Sequence, residues 1–234
     1  MPANAVMKQR ARELLNGRWN EHVAVSMLLI LLVFICGAVT GLFGSSTGAL
    51  VMAFFVGAIL EVFMGLFIDG AYLYFLHLLH KEKTSLLDVI APVRMQPDRF
   101  LIIELLRIGV FLVIWSPSYL ASLLYDRSPV FCEVFTWIWL PVGLCLCLAL
   151  WMIFGFSRLL LLEQENLGAL ASLKKSREMM KKQFLKLLGF LLPYIGYLLL
   201  AVFSLGLGFL WAIPYFMTGY ASFYEELKKS SHNA

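Results

Sequence analysis

The chain has 234 residues, of which 61% are hydrophobic and 15% are charged, and its formal net charge is +4. The mean hydropathy is +0.81. Soluble domains average about 45–50% apolar and about 25% charged residues, so this composition excludes a soluble enzyme domain, a secreted disulfide scaffold and a disordered tail. Because a membrane-spanning helix needs about 20 apolar residues, we expect an all-α, polytopic helical membrane protein.

Six apolar segments follow one another along the chain and predict about six transmembrane helices. They cover residues 23–43, 49–68, 100–124, 134–161, 184–203 and 209–223. The second segment is expected to continue as a helix through residues 71–79. The first segment is too long for the core of a signal peptide and no small-residue cleavage site follows it, so we expect it to be retained.

The basic residues predict the orientation, because cytoplasmic loops are enriched in Lys and Arg. Of the 19 basic residues, 17 lie before the first span, in or beside the polar stretches 81–99 and 163–183, or in the C-terminal tail. Arg158 is counted with the second polar stretch, and the exceptions are Arg107 and Arg127. This asymmetry predicts a multi-pass protein of the cell membrane with both termini in the cytoplasm. It also explains the net charge without a nucleic-acid partner.

An internal similarity suggests parallel repeats. Residues 12–15 precede Trp19 and the first span with the same spacing by which residues 177–180 precede Phe184 and the fifth span. A weaker middle copy begins near residue 85. The pattern favours three units, each an interfacial helix followed by a hairpin, although basic, aromatic-flanked hairpins can also be similar by chance. The single membrane domain, 1–234, is thus divided into a helix (1–22), hairpins at 23–80 and 81–162, an interfacial helix plus hairpin (163–226) and a tail (227–234).

The segment before the fifth span predicts an amphipathic helix from residue 170 to residue 184. Leu170, Leu173, Met180 and Phe184 are expected on one face, and Lys174, Lys175, Lys181 and Lys182 on the other. Such a helix would lie in the membrane interface and contact anionic lipid headgroups on the cytoplasmic side. The alternative is an ordinary basic cytoplasmic loop that happens to be helical.

The C-terminal third of the chain carries recognisable motifs. They are a helix related to Ala-Leu-x-x-Ser-x-x-Met-Met at residues 169–180, the turn Gly206-x-Gly208, the pair Pro214-Tyr215 and the closing pair Phe223-Tyr224. Together with the opening ARELLNGRWN at residues 11–20, they resemble the bacterial membrane family called domain of unknown function 975. The resemblance implies a six-span protein of bacterial, mostly Gram-positive, cytoplasmic membranes, with no assigned activity and no catalytic residues. Glu61 matches no pattern of that family.

A ridge of small and acidic residues marks the second span. Ala53, Gly57, Glu61, Gly65 and Asp69 are spaced by four, so they share one helix face. Small residues allow helices to approach closely, so we expect this ridge to face another helix and to carry Glu61 inward. A mid-membrane carboxylate could bind a proton or a cation in a transport path, or it could be a protonated, hydrogen-bonded structural group. Asp69 is nearer the cytoplasmic edge and is expected to be solvated.

Other polar residues favour structural roles. Glu104 and Arg107 are three apart in the third span and are expected to form a local pair. His77 and His80 are also three apart, but no third ligand has suitable spacing, so no metal site is expected. The four cysteines form neither a zinc pattern nor a disulfide framework.

These observations favour a non-enzymatic membrane protein that interacts with lipid or serves as an accessory component of the envelope. The alternative is a small transporter of a lipid or amphipathic substrate, coupled to protons through Glu61. We expect no catalytic residues, no cofactor and no nucleic-acid partner, whereas a protein partner or a second copy of the chain is left open.

Overall fold

The computed structural model describes residues 9, 11–17, 19–44, 47–80, 82–95, 97–122, 128–164, 166–181 and 183–232. Residues 11–15 are helical, and the elements that follow are helices throughout. The helices are α1 (Trp19–Gly41), α2 (Thr47–Leu79), a 3-10 turn (Leu86–Ile90), α3 (Ala91–Met95), α4 (Pro97–Ser122), α5 (Pro129–Phe154), α6 (Phe156–Glu163), α7 (Ala169–Met180), α8 (Phe184–Phe203) and α9 (Phe209–His232). The expected all-α class is confirmed over the described residues.

Five helical segments of the described chain are long and apolar enough to cross a membrane. They are Trp19–Gly41, Met52–Leu79, Pro97–Ala121, Pro129–Glu163 and Phe184–Phe203. Large apolar side chains on these segments point outward, among them Phe34, Val113 and Trp137. Such a surface suits lipid and would be costly in water, so the polytopic helical membrane protein expected from the composition is confirmed.

The predicted sixth span, residues 209–223, begins α9 and is not among the five. Residues 217–224 of this helix are all buried within the protein, including Thr218 and Ser222. A helix covered by other helices does not need a continuous lipid-facing apolar surface, so its sequence tolerates hydroxyl groups, tyrosines and glycine. The sequence of its middle part is therefore less apolar than that of a lipid-exposed span.

Aromatic stacking joins α9 to α5 and α6. The ring of Tyr220 stacks on Phe156 at a centroid distance of 4.7 Å and on Trp151 at 5.3 Å. Gly155, at the junction of α5 and α6, makes this possible, because a Cβ atom there would collide with the Tyr220 hydroxyl. Rings packed this way contribute about 0.5–1.5 kcal/mol per pair beyond their buried area.

The 3-10 turn packs against the C-terminal half of α2. Ser85 caps the turn: its hydroxyl accepts a hydrogen bond from Leu87 N, and its own backbone N–H donates to the Asp88 side chain. Val89 is fully buried, and its backbone lies where a Cβ atom on Gly70 would be. This close approach holds the segment that connects α2 to α4 against α2.

Helix α7 differs from the predicted helix 170–184. It ends at Met180, and Phe184 begins α8 instead. Its buried face consists of Ala169, Ser172, Ser176 and Met180, whereas Leu170 is 71% exposed. The predicted face was therefore wrong at Leu170 and Phe184. The small serines allow close packing, since the hydroxyl of Ser176 donates to the Ile153 carbonyl oxygen of α5 at 2.8 Å.

The order of elements follows the predicted three units. Helical residues 11–15 precede the α1–α2 hairpin, the 3-10 turn and α3 precede the α4–α5 hairpin, and α7 precedes the α8–α9 hairpin. That these units arose by duplication stays a prediction.

Candidate functional site

Five charged side chains from three helices form a connected network. Arg158 of α6 donates to Asp69 of α2 at 3.1 Å and also to Glu104 of α4. Arg107 of α4 donates to the other oxygen of Glu104 at 2.8 Å and to Glu61 of α2 at 2.8 Å. The chain of contacts therefore runs Asp69, Arg158, Glu104, Arg107, Glu61, and it connects α2, α4 and α6. We call these five residues the charge network.

A glycine on α2 makes room for the centre of the network. Gly65 lies between Glu61 and Asp69 on the same helix face, and a Cβ atom at Gly65 would overlap the carboxyl group of Glu104. Because the glycine has no side chain, Glu104 of α4 can lie against the backbone of α2. Arg158, in the first turn of α6, then reaches both acids.

The network is buried at one end and open at the other. Glu104 and Asp69 are 0% and 1% exposed, and Arg158 is 14% exposed. Arg107 and Glu61 are 41% and 52% exposed. Burying a charge costs several kcal/mol of folding free energy unless a partner compensates it, so the two buried acids depend on Arg158 for their stability. The exposed carboxylate of Glu61 can exchange protons with its surroundings.

The charges of the network do not balance. Three carboxylates meet two guanidinium groups, so the fully ionised network has one negative charge in excess. Oδ2 of Asp69 is buried and has no hydrogen-bond partner among the described residues. The network becomes neutral when it holds one proton or one cation.

The structure brings together all four acidic and basic residues singled out within the predicted spans. The local pair expected between Glu104 and Arg107 is present as the 2.8 Å contact. Two expectations were wrong. Asp69 is buried and paired rather than solvated, and Glu61 is half exposed, in contact with Arg107, rather than carried inward. Arg158 was assigned to a cytoplasmic loop, although its position inside the apolar segment 134–161 was a signal that could have identified it.

The small-residue ridge of α2 does not face a single helix. A Cβ atom at Gly57 would meet Thr40 of α1 at 3.5 Å, whereas the neighbour of Gly65 is Glu104 of α4. The ridge therefore packs on α1 in its first half and on α4 in its second half. The spacing of four identified the packing face but not the two partners.

A second site is a half-open cleft of about 520 Å³ between the N-terminal segment and the α8–α9 hairpin. We call it the Arg12 cleft. One wall consists of Arg12, Glu13, Asn16 and Trp19, and the other of Tyr197, Leu200, Gly208, Trp211, Ala212 and Tyr215. The first wall is mainly polar and the second is mainly aromatic and aliphatic, so the cleft is amphipathic.

Arg12 carries a permanent positive charge in this cleft. Its guanidinium carbon lies 5.9 Å from the centre of the Tyr215 ring, a cation–π arrangement. Tyr197, and to a smaller extent Tyr215, raise the pKa of Arg12 above its already high usual value. The cleft thus combines a cation with apolar surface.

The basic residues of α7 are placed apart from the Arg12 cleft. Lys174, Lys175 and Lys181 are exposed, and Lys175 donates to the Gln164 side chain at 3.1 Å. Lys182 lies outside the described residues. Their predicted contact with anionic lipid stays a prediction.

Comparison with known proteins identifies a family but no activity. The family model described as "Protein of unknown function (DUF975)" matches residues 1–231. No curated protein and no solved structure matches the chain.

Proposed function

The chain belongs to this family of unknown function, DUF975, and we propose that it is a non-enzymatic protein of the bacterial cytoplasmic membrane that binds an anionic lipid in the Arg12 cleft. The observation that carries the proposal is the amphipathic lining of that cleft. A cation stands on one wall, and aromatic and aliphatic groups stand on the other.

The chemistry of the cleft matches that of a lipid. Its volume of about 520 Å³ falls within the range of small-molecule sites. The guanidinium of Arg12 would pair with a phosphate, for which its planar fork of donors is suited. Leu200 and Ala212 offer surface to an acyl chain, and Trp19 and Trp211 are of the residue type enriched at membrane interfaces.

The charge of the N-terminal sequence favours the cytoplasmic leaflet. The sequence before the first span contains four basic residues, Lys8, Arg10, Arg12 and Arg18, against two acidic residues, Glu13 and Glu21. We place both termini in the cytoplasm, where the leaflet surface is negative. The exposed lysines of α7 would add a second, weaker attraction to the same surface.

The test is lipid retention by the purified full-length protein in mild detergent. Native mass spectrometry would compare phosphatidylglycerol with phosphatidylcholine on the wild type and on Arg12→Gln. A basic residue near a membrane surface contributes about 1 kcal/mol, so we expect about fivefold weaker phosphatidylglycerol binding in the variant. Phosphatidylcholine binding should change little.

Arg94→Gln is the matched control, because Arg94 is an exposed arginine that does not line the cleft. It should retain phosphatidylglycerol like the wild type. Ala212→Phe would fill the cleft and should weaken both lipids. Equal phosphatidylglycerol retention by the wild type and Arg12→Gln would overturn the proposal.

A second candidate function is proton-coupled transport through Glu61, and the excess carboxylate of the charge network favours it. Glu61 is the most exposed acid of the network and contacts Arg107 through one oxygen. A proton arriving at Glu61 would neutralise the network and release Arg107 from that contact.

Glu61→Gln tests this candidate, because glutamine keeps the shape of glutamate but cannot exchange a proton. If the network couples transport to protons, the variant should fold normally and lose pH-gradient-driven flux in liposomes or complementation of a deletion strain. A folded Glu61→Gln protein that complements like the wild type would remove Glu61 from the functional residues.

A further inference from the structure

Three metal-ligating side chains from three helices converge where α2, α6 and α9 meet. His80 follows the end of α2, Glu163 is the last residue of α6, and Glu225 lies on α9. Each offers one ligand atom, and the three atoms lie within 4.8 Å of one another. His80 Nε2 is 3.1 Å from Glu225 Oε1.

We propose that His80, Glu163 and Glu225 form a binding site for one divalent transition-metal ion. Imidazole nitrogen with two carboxylates is a donor set used for zinc, with water completing the coordination. In a tetrahedral zinc site with such bonds, neighbouring ligand atoms stand about 3.3 Å apart. The His80–Glu225 pair is already closer than this, and the third atom needs a side-chain shift of about 1.5 Å at most.

Two groups donate to the carboxylate of Glu163, one neutral and one charged. The hydroxyl of Tyr224 donates to Glu163 Oε2 at 2.7 Å, and the ammonium of Lys228 donates to the same oxygen at 2.8 Å. A hydrogen bond from a neutral donor such as the Tyr224 hydroxyl fixes metal-ligating carboxylates in established sites, whereas the Lys228 ammonium would compete with an ion for this carboxylate. Both donors use Oε2, so neither of them occupies Oε1, the other oxygen of the carboxylate.

The charged groups of the site would attract a cation, but one of them, Lys228, would compete with it. Glu163 and Glu225 together carry two negative charges, and Lys228 supplies one positive charge. A divalent ion would thus meet an excess of one negative charge. Lys228 opposes the ion, so its removal should strengthen metal binding, an effect that a purely structural hydrogen-bonded cluster would not produce.

His77 provides a matched control on the same helix. Its Nδ1 lies 3.2 Å from Asp88, and its Nε2 lies 3.6 Å from Glu82. The two carboxylates thus meet opposite edges of the ring, and one ion cannot bind both of them together with a single nitrogen of that ring. His77 has the same residue type and a similar acidic environment, but not the convergent geometry of His80.

The experiment uses the full-length protein in detergent, stripped with EDTA and titrated with Zn²⁺ by calorimetry. We expect one tight equivalent in the wild type, at least tenfold weaker binding in His80→Ala and Glu225→Gln, and unchanged binding in His77→Ala. Lys228→Met should bind Zn²⁺ more tightly than the wild type. Titration with Co²⁺ should give visible absorption bands in the wild type that His80→Ala lacks.

Each result decides the proposal. Absence of a tight equivalent in the wild type would overturn it, and so would equal losses in His77→Ala and His80→Ala, which would indicate scattered surface histidines. If His80→Ala failed to fold, the comparison of Lys228→Met with the wild type would still decide: tighter Zn²⁺ binding supports the site, and unchanged binding refutes it.

Discussion

Arg158 bridges two carboxylates that belong to different helices, Asp69 of α2 and Glu104 of α4. Both acids are almost completely buried, so neither can replace the arginine by water. The energetic importance of Arg158 lies less in attraction than in the cost of leaving two buried carboxylates without a cation. Arg107 contacts Glu104 as well, but its side chain is much more exposed.

At this scale we predict that Arg158→Met destabilises the protein by about 3–5 kcal/mol, the usual cost of removing one partner of a buried ion pair. Arg107→Met should cost less, because water can solvate Glu61 after the change. Denaturant or thermal unfolding of the purified variants in detergent would measure the difference. Adding Asp69→Asn to Arg158→Met should recover part of the loss. Equal destabilisation by the two arginine variants would contradict the stronger dependence of the buried acids on Arg158.

At the scale of the element, the glycines of α2 each lie against a different neighbouring group. Gly57 faces Thr40 of α1 at an ordinary contact distance, Gly65 faces the Glu104 carboxyl, and Gly70 faces the backbone of Val89. The first position has room for a methyl group. The last does not, because the obstructing atoms are backbone atoms that cannot rotate away.

The pair Gly70→Ala and Gly57→Ala therefore separates close packing from helix propensity. Gly70→Ala should destabilise by about 1–3 kcal/mol through overpacking. Gly57→Ala should be neutral or stabilise by up to about 1 kcal/mol, since alanine favours the helix over glycine. Thermal unfolding of both variants, each with an unchanged helical circular dichroism spectrum, is the measurement. A Gly57→Ala protein less stable than Gly70→Ala would show that the contact with Val89 is not limiting.

The sequence predicts helices well and their partners poorly, and α2 shows why. A spacing of four between Gly57, Glu61 and Gly65 identifies a helix face, since periodicity is a local property. Which helix covers that face depends on contacts between residues far apart in the chain, such as Glu104 and Arg158. The convergence of His80, Glu163 and Glu225 is hidden for the same reason: each ligand comes from a different helix.

For α9 the sequence-based prediction is limited for a different reason. Apolar character predicts a span when a helix faces lipid, but the middle of α9 is covered by protein. Tyr215, Tyr220 and Tyr224 lower its apparent hydrophobicity while forming the aromatic core. Whether such a segment is predicted as a membrane span depends on its burial by neighbouring helices, which a single sequence does not show.

At the scale of the whole molecule, charge is confined to a few regions. No Asp, Glu, Lys, Arg or His occurs between Lys186 and Glu225, so α8 beyond its first turn, the following turn and most of α9 offer no charge that would hold them on one side. The 20 residues of α8 are long enough to reach across the hydrocarbon core. The α8–α9 turn also lies near the Arg12 cleft, because Gly208 belongs to its lining.

Topology is the prediction that this scale provides. Reporter fusions at residues 90, 175 and 232 should report the cytoplasm, because Lys and Arg concentrate on that side. Fusions within 44–48, at residue 127 and at residue 205 should report the outside. The fusion at 205 is the most discriminating, since it depends on whether the α8–α9 hairpin, which has no charge between Lys186 and Glu225, crosses the membrane fully. A cytoplasmic signal there, with the other five sites as expected, would show that this hairpin enters and leaves on one side and that the protein has four full spans. Arg12 and the α8–α9 turn would then lie on the same face of the membrane. An outside signal would require the N-terminal segment to extend along the hairpin into the membrane, with Arg12 held by Tyr197 and Tyr215.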